Sequence, residues 1–171
     1  MIQVDEPLAV FSPCRRYRYL LRRRVSAVDL WSSLSPSANG GLCLFVMLNP
    51  STADKMKNDP TINRCIAYAR AWGFGTLEVV NLFAFRSTDP GQLHEVDDPI
   101  GPENDRYILN RATLADCIVA AWGNHGALLG RSDQVRRFLA PKAVQCLGLN
   151  KTGEPKHPLY VARDQGLIGL D

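Results

Sequence analysis

Four short polar segments carry the side chains of this chain that are best suited to chemistry. The segments are residues 49–54, 81–86, 123–126 and 156–160. The amides of Asn49 and Asn81 can both donate and accept hydrogen bonds. The imidazoles of His125 and His157 can donate or take up protons near neutral pH, and Arg86 can hold an anion. A fold that brings the four segments together would therefore create one polar crevice.

Apolar runs precede these segments and must position them. Residues 42–48 are apolar without a break and stop at Asn49 and Pro50, which is typical of a strand buried on both faces of a parallel sheet. Proline cannot donate to a strand ladder and restricts the residue before it, so the strand ends there. Three further apolar runs predict strands over residues 77–83, 117–122 and 143–147.

Helical patterns alternate with the apolar runs. Asp59 is a predicted N-cap, Pro60 occupies the first helical position, and the helix should run to Trp72, with Gly73 just beyond its end. Two further helices are predicted over 102–114 and 133–139, and loops over 25–40 and 84–99. The alternation predicts one α/β domain over residues 1–171, with three layers, α/β/α, around a mostly parallel central sheet.

Parallel strands all end at one edge of the sheet, where open α/β sheets bind their ligands. The candidate site residues at this edge are Asn49, Pro50, Ser51, Asn81, Arg86, Asn124, His125 and His157. Structural alternatives stay open for several of them. Asn49 can cap a turn, and His125 and His157 can be surface turn residues. Asn81 interrupts an apolar strand, so its amide must find partners or carry a desolvation penalty of about 1–3 kcal/mol.

Basic residues concentrate near the amino terminus. Six arginines lie within residues 15–24, twice the net charge of +3, so the rest of the chain is net acidic. At period two, Arg16, Arg18 and Arg22 would share one face of an antiparallel edge strand, with tyrosines on the other face. That face is either a solvated edge protected by charge or an arginine stripe that contacts nucleic-acid phosphates.

Several classes of protein are disfavoured by what the sequence contains. It has neither a Gly-x-x-x-x-Gly-Lys-Ser/Thr loop nor a Gly-x-Gly-x-x-Gly loop, which counts against an ATPase or a dinucleotide enzyme. The five cysteines stand far apart without a Cys-x-x-Cys pair and are better read as buried hydrophobic residues than as a metal site or disulfide framework. No cofactor is predicted. Asp54 and Asp59, with His157, leave a metal-dependent hydrolase as a weak alternative.

The chain is expected to be cytoplasmic and to have no membrane partner. No run approaches the roughly 18 apolar residues that a membrane span needs. Asp5, Glu6 and Pro7 interrupt the amino terminus where a signal peptide would be apolar.

The polar segments resemble an uncharacterised bacterial family called domain of unknown function 1643. The similar stretches are Met47–Asp54, Val80–Arg86, Ala121–Gly126 and His157–Tyr160, so the resemblance covers most of the chain. This family brings no established activity.

A more distant resemblance is to the uracil-DNA glycosylase superfamily. Its members have a strand ending in Asn-Pro, a later strand ending in Asn, and a closing His-Pro motif. Asn49-Pro50, Asn81 with Arg86, and His157-Pro158 are similar and occur in the same order. The resemblance implies a glycosylase-like fold and two catalytic residues: Asn49 would position a water molecule, and His157 would stabilise negative charge on a departing base. It also implies that Asn81 reads the base edge.

The sequence therefore predicts a protein that recognises a nucleobase, a nucleotide or a nucleic acid. Hydrolysis of an N-glycosidic bond is the leading hypothesis for its activity. A binding module that lacks the chemistry is the chief alternative, followed by the metal-dependent hydrolase.

Overall fold

A computed structural model describes residues 8–25 and 40–170, and the loop predicted over 25–40 lies almost wholly outside these residues. One mixed sheet forms the centre of the fold. Its strands are β1 (Leu8–Phe11), β2 (Arg18–Arg24), β3 (Leu42–Met47), β4 (Thr76–Asn81), β5 (Cys117–Ala120), β6 (Val144–Cys146) and β7 (Ile168–Gly169). The helices are α1 (Pro60–Ala71), α2 (Asn104–Leu114) and α3 (Arg131–Leu139). No helix in these ranges has the length and apolar character needed to cross a membrane.

The four predicted core strands are parallel, as the sequence indicates. The strand order is β1-β2-β4-β3-β5-β6-β7, and the pairs β4–β3, β3–β5 and β5–β6 are parallel. Met47 at the end of β3 lies opposite Asn81 at the end of β4. The prediction that Asn49 and Asn81 lie at the same edge of the sheet is thereby confirmed.

Helices cover both faces of the sheet and complete the three layers. Alternate residues of β3 point to opposite faces: Phe45 packs with Ile62 and Tyr68 of α1, whereas Leu44 packs with Ile108 of α2 and Val135 of α3. We call these the α1 face and the α2/α3 face. Because the buried strands are apolar on both sides, they carry a hydrophobic core in each gap between layers.

The start and end of α1 follow the local signals. The Asp59 side chain accepts a hydrogen bond from the Ile62 amide at 2.8 Å, and Pro60 begins the helix. The helix ends at Ala71, with the predicted last residue Trp72 as its C-cap. Gly73, just beyond, adopts a φ of 83°, a conformation that glycine takes without steric penalty. The helix start places Asp59 and Thr61 beside the carboxyl ends of β3 and β4.

The arginine-rich strand departs from the prediction in two ways. It is antiparallel as expected, but β1 occupies the edge and β2 lies between β1 and β4. In addition, Val10 pairs with Leu20 while Phe11 pairs with Arg18, so the register shifts by one residue at Tyr19. A bulge of this kind reverses the facing of the residues beyond it. Arg18 and Arg22 consequently lie on opposite faces, and the expected common face is wrong.

Candidate functional site

A cavity of about 470 Å³ lies at the carboxyl ends of the parallel strands, on the α1 face of the sheet. We call it the strand-end cavity. Of the residues predicted from sequence, Asn49, Ser51, Asn81, Asn124, His125 and His157 line it. Its volume falls within the range of about 300–1,000 Å³ that is usual for small-molecule sites. All four polar segments contribute to its walls or rim, so the predicted convergence is observed.

Two of the predicted ligand-binding residues do not line the cavity. Pro50 is buried, and its carbonyl oxygen accepts a hydrogen bond from the Ser87 amide at 2.9 Å. Arg86 lies outside the cavity, where its Nη1 donates to the Arg15 carbonyl oxygen at 3.2 Å and its guanidinium lies 4.8 Å from the centre of the Phe11 ring. The predicted loop over 84–99 contributes Ser87, Thr88 and Pro90 to the cavity instead.

Asn81 forms part of the cavity floor. It ends β4, its side chain is on the α1 face, and it is 1% exposed. Its Nδ2 atom has no hydrogen-bond partner within residues 8–25 and 40–170. A buried donor without a partner is destabilising by about 1–3 kcal/mol, and native proteins retain few of them. An amide in this state is suited to a ligand that supplies the acceptor.

The backbone around Asn81 is fixed from the opposite face. The Asn104 side chain donates to the carbonyl oxygens of Asn81 and Leu82, both at 2.9 Å. Arg131 Nε donates to the same Leu82 oxygen at 2.9 Å. Because both donors are buried, α2 and α3 hold the end of β4 in place.

The side-chain amide of Asn49 makes hydrogen bonds within the protein through one of its two polar atoms. Its Nδ2 donates to the Ser87 carbonyl oxygen at 2.9 Å and to the Pro50 carbonyl oxygen at 3.2 Å. The bond to Ser87 ties the turn after β3 to the loop after β4. The amide nitrogen is therefore engaged, and the Oδ1 acceptor is the group that Asn49 can offer to a ligand or a water molecule.

His157 lines the cavity with its protonation state set by local contacts. Its Nδ1 accepts a hydrogen bond from the Leu159 amide at 3.3 Å, so the neutral ring carries its proton on Nε2. Burial lowers the pKa of His157 below its ordinary value, an effect that the charge of Asp59 partly opposes. The Tyr160 ring, 84% exposed, lies 5.7 Å from the His157 ring, centre to centre. A neutral hydrogen-bond donor, His157 Nε2, and the exposed Tyr160 ring therefore lie next to each other at the rim of the cavity.

Glu154, which the sequence analysis did not single out, positions the segment that carries His157. Trp122 Nε1 donates to Glu154 Oε2 at 2.6 Å, and the Ser132 hydroxyl group donates to Oε1 at 2.7 Å. A Cβ atom at Gly126 would lie 2.1 Å from Trp122 Cδ1, so only glycine allows this close packing. The two bonds of Glu154 dock its segment against Trp122, just beyond β5, and against Ser132 of α3.

Arg18 lies in the strand-end cavity and not on the predicted edge stripe. It lines the cavity, is 2% exposed, and donates from Nη1 to the Ala53 carbonyl oxygen at 2.6 Å. Its Nε has no hydrogen-bond partner in the described parts of the chain. Burial lowers the pKa of Arg18 to about 10, with Asp59 acting in the opposite direction. Arg18 therefore remains a cation at neutral pH.

The other two arginines of the predicted stripe lie elsewhere. Arg22 forms an ion pair with the buried Glu78 at 2.7 Å on the α2/α3 face. Arg16 is exposed, and its guanidinium lies 5.7 Å from the centre of the Phe85 ring. The three arginines therefore do not form one continuous surface.

The acidic residues proposed for a metal-dependent hydrolase have structural partners. Asp54 Oδ1 accepts from the amides of Met56 and Lys57, both at 2.9 Å, and Asp59 Oδ1 caps α1. In the part of the chain that the structure covers, no group of three or more His, Cys, Asp or Glu side chains is arranged to hold a metal ion.

Residues 18–159 match the model of a family described as "Protein of unknown function (DUF1643)". The matched range contains all the residues of the strand-end cavity named above except Tyr160. No curated protein and no solved structure matches the chain.

Proposed function

We propose that this chain, which belongs to the family of proteins of unknown function DUF1643, recognises the base of a nucleotide or nucleic acid in the strand-end cavity and hydrolyses the N-glycosidic bond that joins this base to its sugar. One observation carries the proposal: Asn49, Asn81 and His157, from three separate segments, line one cavity of about 470 Å³. The glycosylase resemblance of the motifs around these residues supports the same reaction.

Each residue has a role that its contacts permit. The Nδ2 donor of Asn81 pairs with an acceptor on the base edge and gains the partner it lacks within the described residues. The Nε2 proton of His157 stabilises negative charge as the base departs, which is catalysis by a preorganised donor. Asn49 Oδ1 accepts from the attacking water molecule. The exposed ring of Tyr160 covers the flat face of the base.

A binding module without chemistry is the second candidate. It is favoured by the bonds from Asn49 to the Ser87 and Pro50 carbonyl oxygens, because they give this side chain a structural task. On this alternative Asn81 and His157 recognise the ligand, and the glycosidic bond stays intact.

The test is to incubate the protein with nucleosides, nucleotides and oligonucleotides and to measure released free base by chromatography. Release that falls in His157→Ala supports hydrolysis. A matched control is His94→Ala, because His94 is exposed and lies outside the cavity lining.

Calorimetry on the same samples separates the two candidates. Saturable binding without release of base, weakened in Asn81→Ala but not in the exposed control Asn110→Ala, would establish the binding module. Absence of both binding and release would overturn the proposed function.

A further inference from the structure

Arg18 is a buried cation whose charge is only partly matched by the protein. No carboxylate oxygen of the described residues lies within 4 Å of its guanidinium. Within the same residues, its one hydrogen bond from the side chain goes to a neutral carbonyl oxygen, that of Ala53, and Nε has no partner. Burying an ion without a counter-ion is costly, so this arrangement requires an explanation.

The backbone directs Arg18 to this place. The register shift at Tyr19 turns Arg18 away from the face that Arg22 occupies. The Arg18 amide donates to the Ala84 carbonyl oxygen at 2.9 Å, which keeps this part of β2 beside the segment after β4. Bulges beside functional sites commonly redirect one side chain, and here the redirected side chain lines the strand-end cavity.

The ionic groups around the cavity favour an anion. Among the described residues that line it, Lys156 is a second cation and Asp59 is an acid. Asp59 already accepts the Ile62 amide through Oδ1, so part of its hydrogen-bonding capacity is used in capping α1. Arginine binds phosphate oxygens through two parallel N–H donors, and such charge-assisted bonds are among the stronger ones in proteins.

We infer that Arg18 is the anchor for a phosphate group of a small ligand, so that the substrate class of the cavity is a nucleoside monophosphate and not a nucleic-acid polymer. This inference rests on the proposed function for the nucleobase part of the ligand. The polymer is disfavoured because Arg18 is 2% exposed and Arg22 is engaged by Glu78. A terminal phosphate can enter the cavity, whereas a continuous backbone needs a charged surface.

The test compares each common nucleoside with its 5′-monophosphate by calorimetry on the wild-type protein. The monophosphate should bind about tenfold more tightly or better, the scale of one charge-assisted hydrogen bond. Arg18→Met should remove that preference, because methionine retains an unbranched apolar stem without the charge. Arg16→Met is the matched control, since Arg16 is exposed and outside the cavity, and it should keep the preference.

Two results would overturn the inference. One is equal affinity for nucleoside and monophosphate in the wild-type protein. The other is an oligonucleotide without a terminal phosphate that binds more tightly than any monophosphate and keeps its affinity in Arg18→Met.

The inference and the proposed function can fail separately. If nucleosides are cleaved as readily as monophosphates, the function stands and the phosphate anchor fails.

If no nucleoside or nucleotide binds, inorganic phosphate is the remaining probe. Thermal stabilisation by phosphate in the wild-type protein but not in Arg18→Met would support Arg18 as a phosphate-binding residue. No stabilisation of the wild-type protein would overturn that role. If Arg18→Met does not fold, competition between inorganic phosphate and the monophosphate in the wild-type protein decides: displacement supports the anchor and its absence overturns it.

Discussion

Arg18 and Arg22 lie on the same strand and face opposite sides of the sheet, and their surroundings differ. On the α2/α3 face, Arg22 bonds to Glu78 Oε1 at 2.7 Å, while Arg111 bonds to both Glu78 oxygens at 2.6 and 2.8 Å. The Glu78 side chain is 1% exposed and has an arginine on each side. On the α1 face, the one side-chain hydrogen bond of Arg18 within residues 8–25 and 40–170 goes to a neutral oxygen.

This difference distinguishes a charge cluster that stabilises the fold from a candidate ligand-binding site. In the Arg22–Glu78–Arg111 cluster, the buried carboxylate has its hydrogen-bond partners within the protein. The role of this cluster is therefore structural. The strand-end cavity instead keeps donors on Arg18 and Asn81 without partners in the described residues. Such groups lower stability and favour ligand binding. The four predictions below test this contrast, from the largest expected effect to the smallest.

Removing Glu78 should produce the largest loss of stability. Glu78→Ala leaves two partly buried guanidinium groups without their shared carboxylate, and we expect the free energy of unfolding to fall by about 3–5 kcal/mol. Urea denaturation measures the loss. The control is Glu103→Ala, which breaks a 2.6 Å pair with Arg106 between side chains that are 48% and 64% exposed and should change stability by about 1 kcal/mol or less. Equal losses in both variants would contradict the contrast.

Removing His157 should affect turnover and leave the fold intact. If the cavity hydrolyses N-glycosidic bonds, His157→Ala should lower turnover by about 10²-fold, the scale of one preorganised donor. Asn81→Ala should chiefly weaken substrate binding. Steady-state kinetics separates the two effects, and thermal unfolding monitors the fold. A His157→Ala enzyme with unchanged turnover would remove His157 from the mechanism.

Replacing each arginine of β2 by methionine tests the contrast directly. Arg18→Met loses one hydrogen bond but also removes a desolvated charge, so we expect stability to change by about 1 kcal/mol or less. Arg22→Met leaves the buried Glu78 with one arginine in place of two and should be the more destabilising substitution. Denaturation of the two variants side by side is the measurement, and a larger loss in Arg18→Met would reverse our assignment of roles.

The smallest expected effect is on the pH dependence of stability. Because burial holds the pKa of His157 below its ordinary value of 6.5, the unfolded chain takes up a proton at higher pH than the folded chain does. Stability from this group is complete well above pH 6.5, falls as the pH decreases through that value, and levels off below the folded-state pKa.

Replacing the imidazole isolates this contribution. His157→Gln should lose less stability than the wild-type protein between pH 7.5 and 5, as followed by denaturation at a series of pH values. His94→Gln is the control, because His94 is exposed, and it should behave like the wild-type protein. Identical pH profiles for wild type and His157→Gln would show that His157 does not titrate abnormally.

The sequence by itself determined the elements whose signals are local. Runs of mainly apolar residues, unbroken in β3 and β5, identified β3 to β6, and the Asp59-Pro60 start with Gly73 beyond the end identified α1. Proline at position 50 and the position of Asn81 placed both asparagines at the carboxyl ends of neighbouring strands. These signals are readable because strand and helix periodicity and capping depend on residues a few positions apart.

Only the tertiary structure decided which polar groups are satisfied. A one-residue register shift at Tyr19 separated Arg18 from Arg22, although period-two spacing assigns them to one face. Glu78 meets Arg111 across 33 residues, and Trp122 meets Glu154 across 32. Contacts between residues so far apart in sequence depend on strand order and helix packing. They therefore cannot be predicted from local residue spacing. The same physical reason explains why Arg86 was misplaced and why the position of Arg18 in the cavity is visible only in the folded chain.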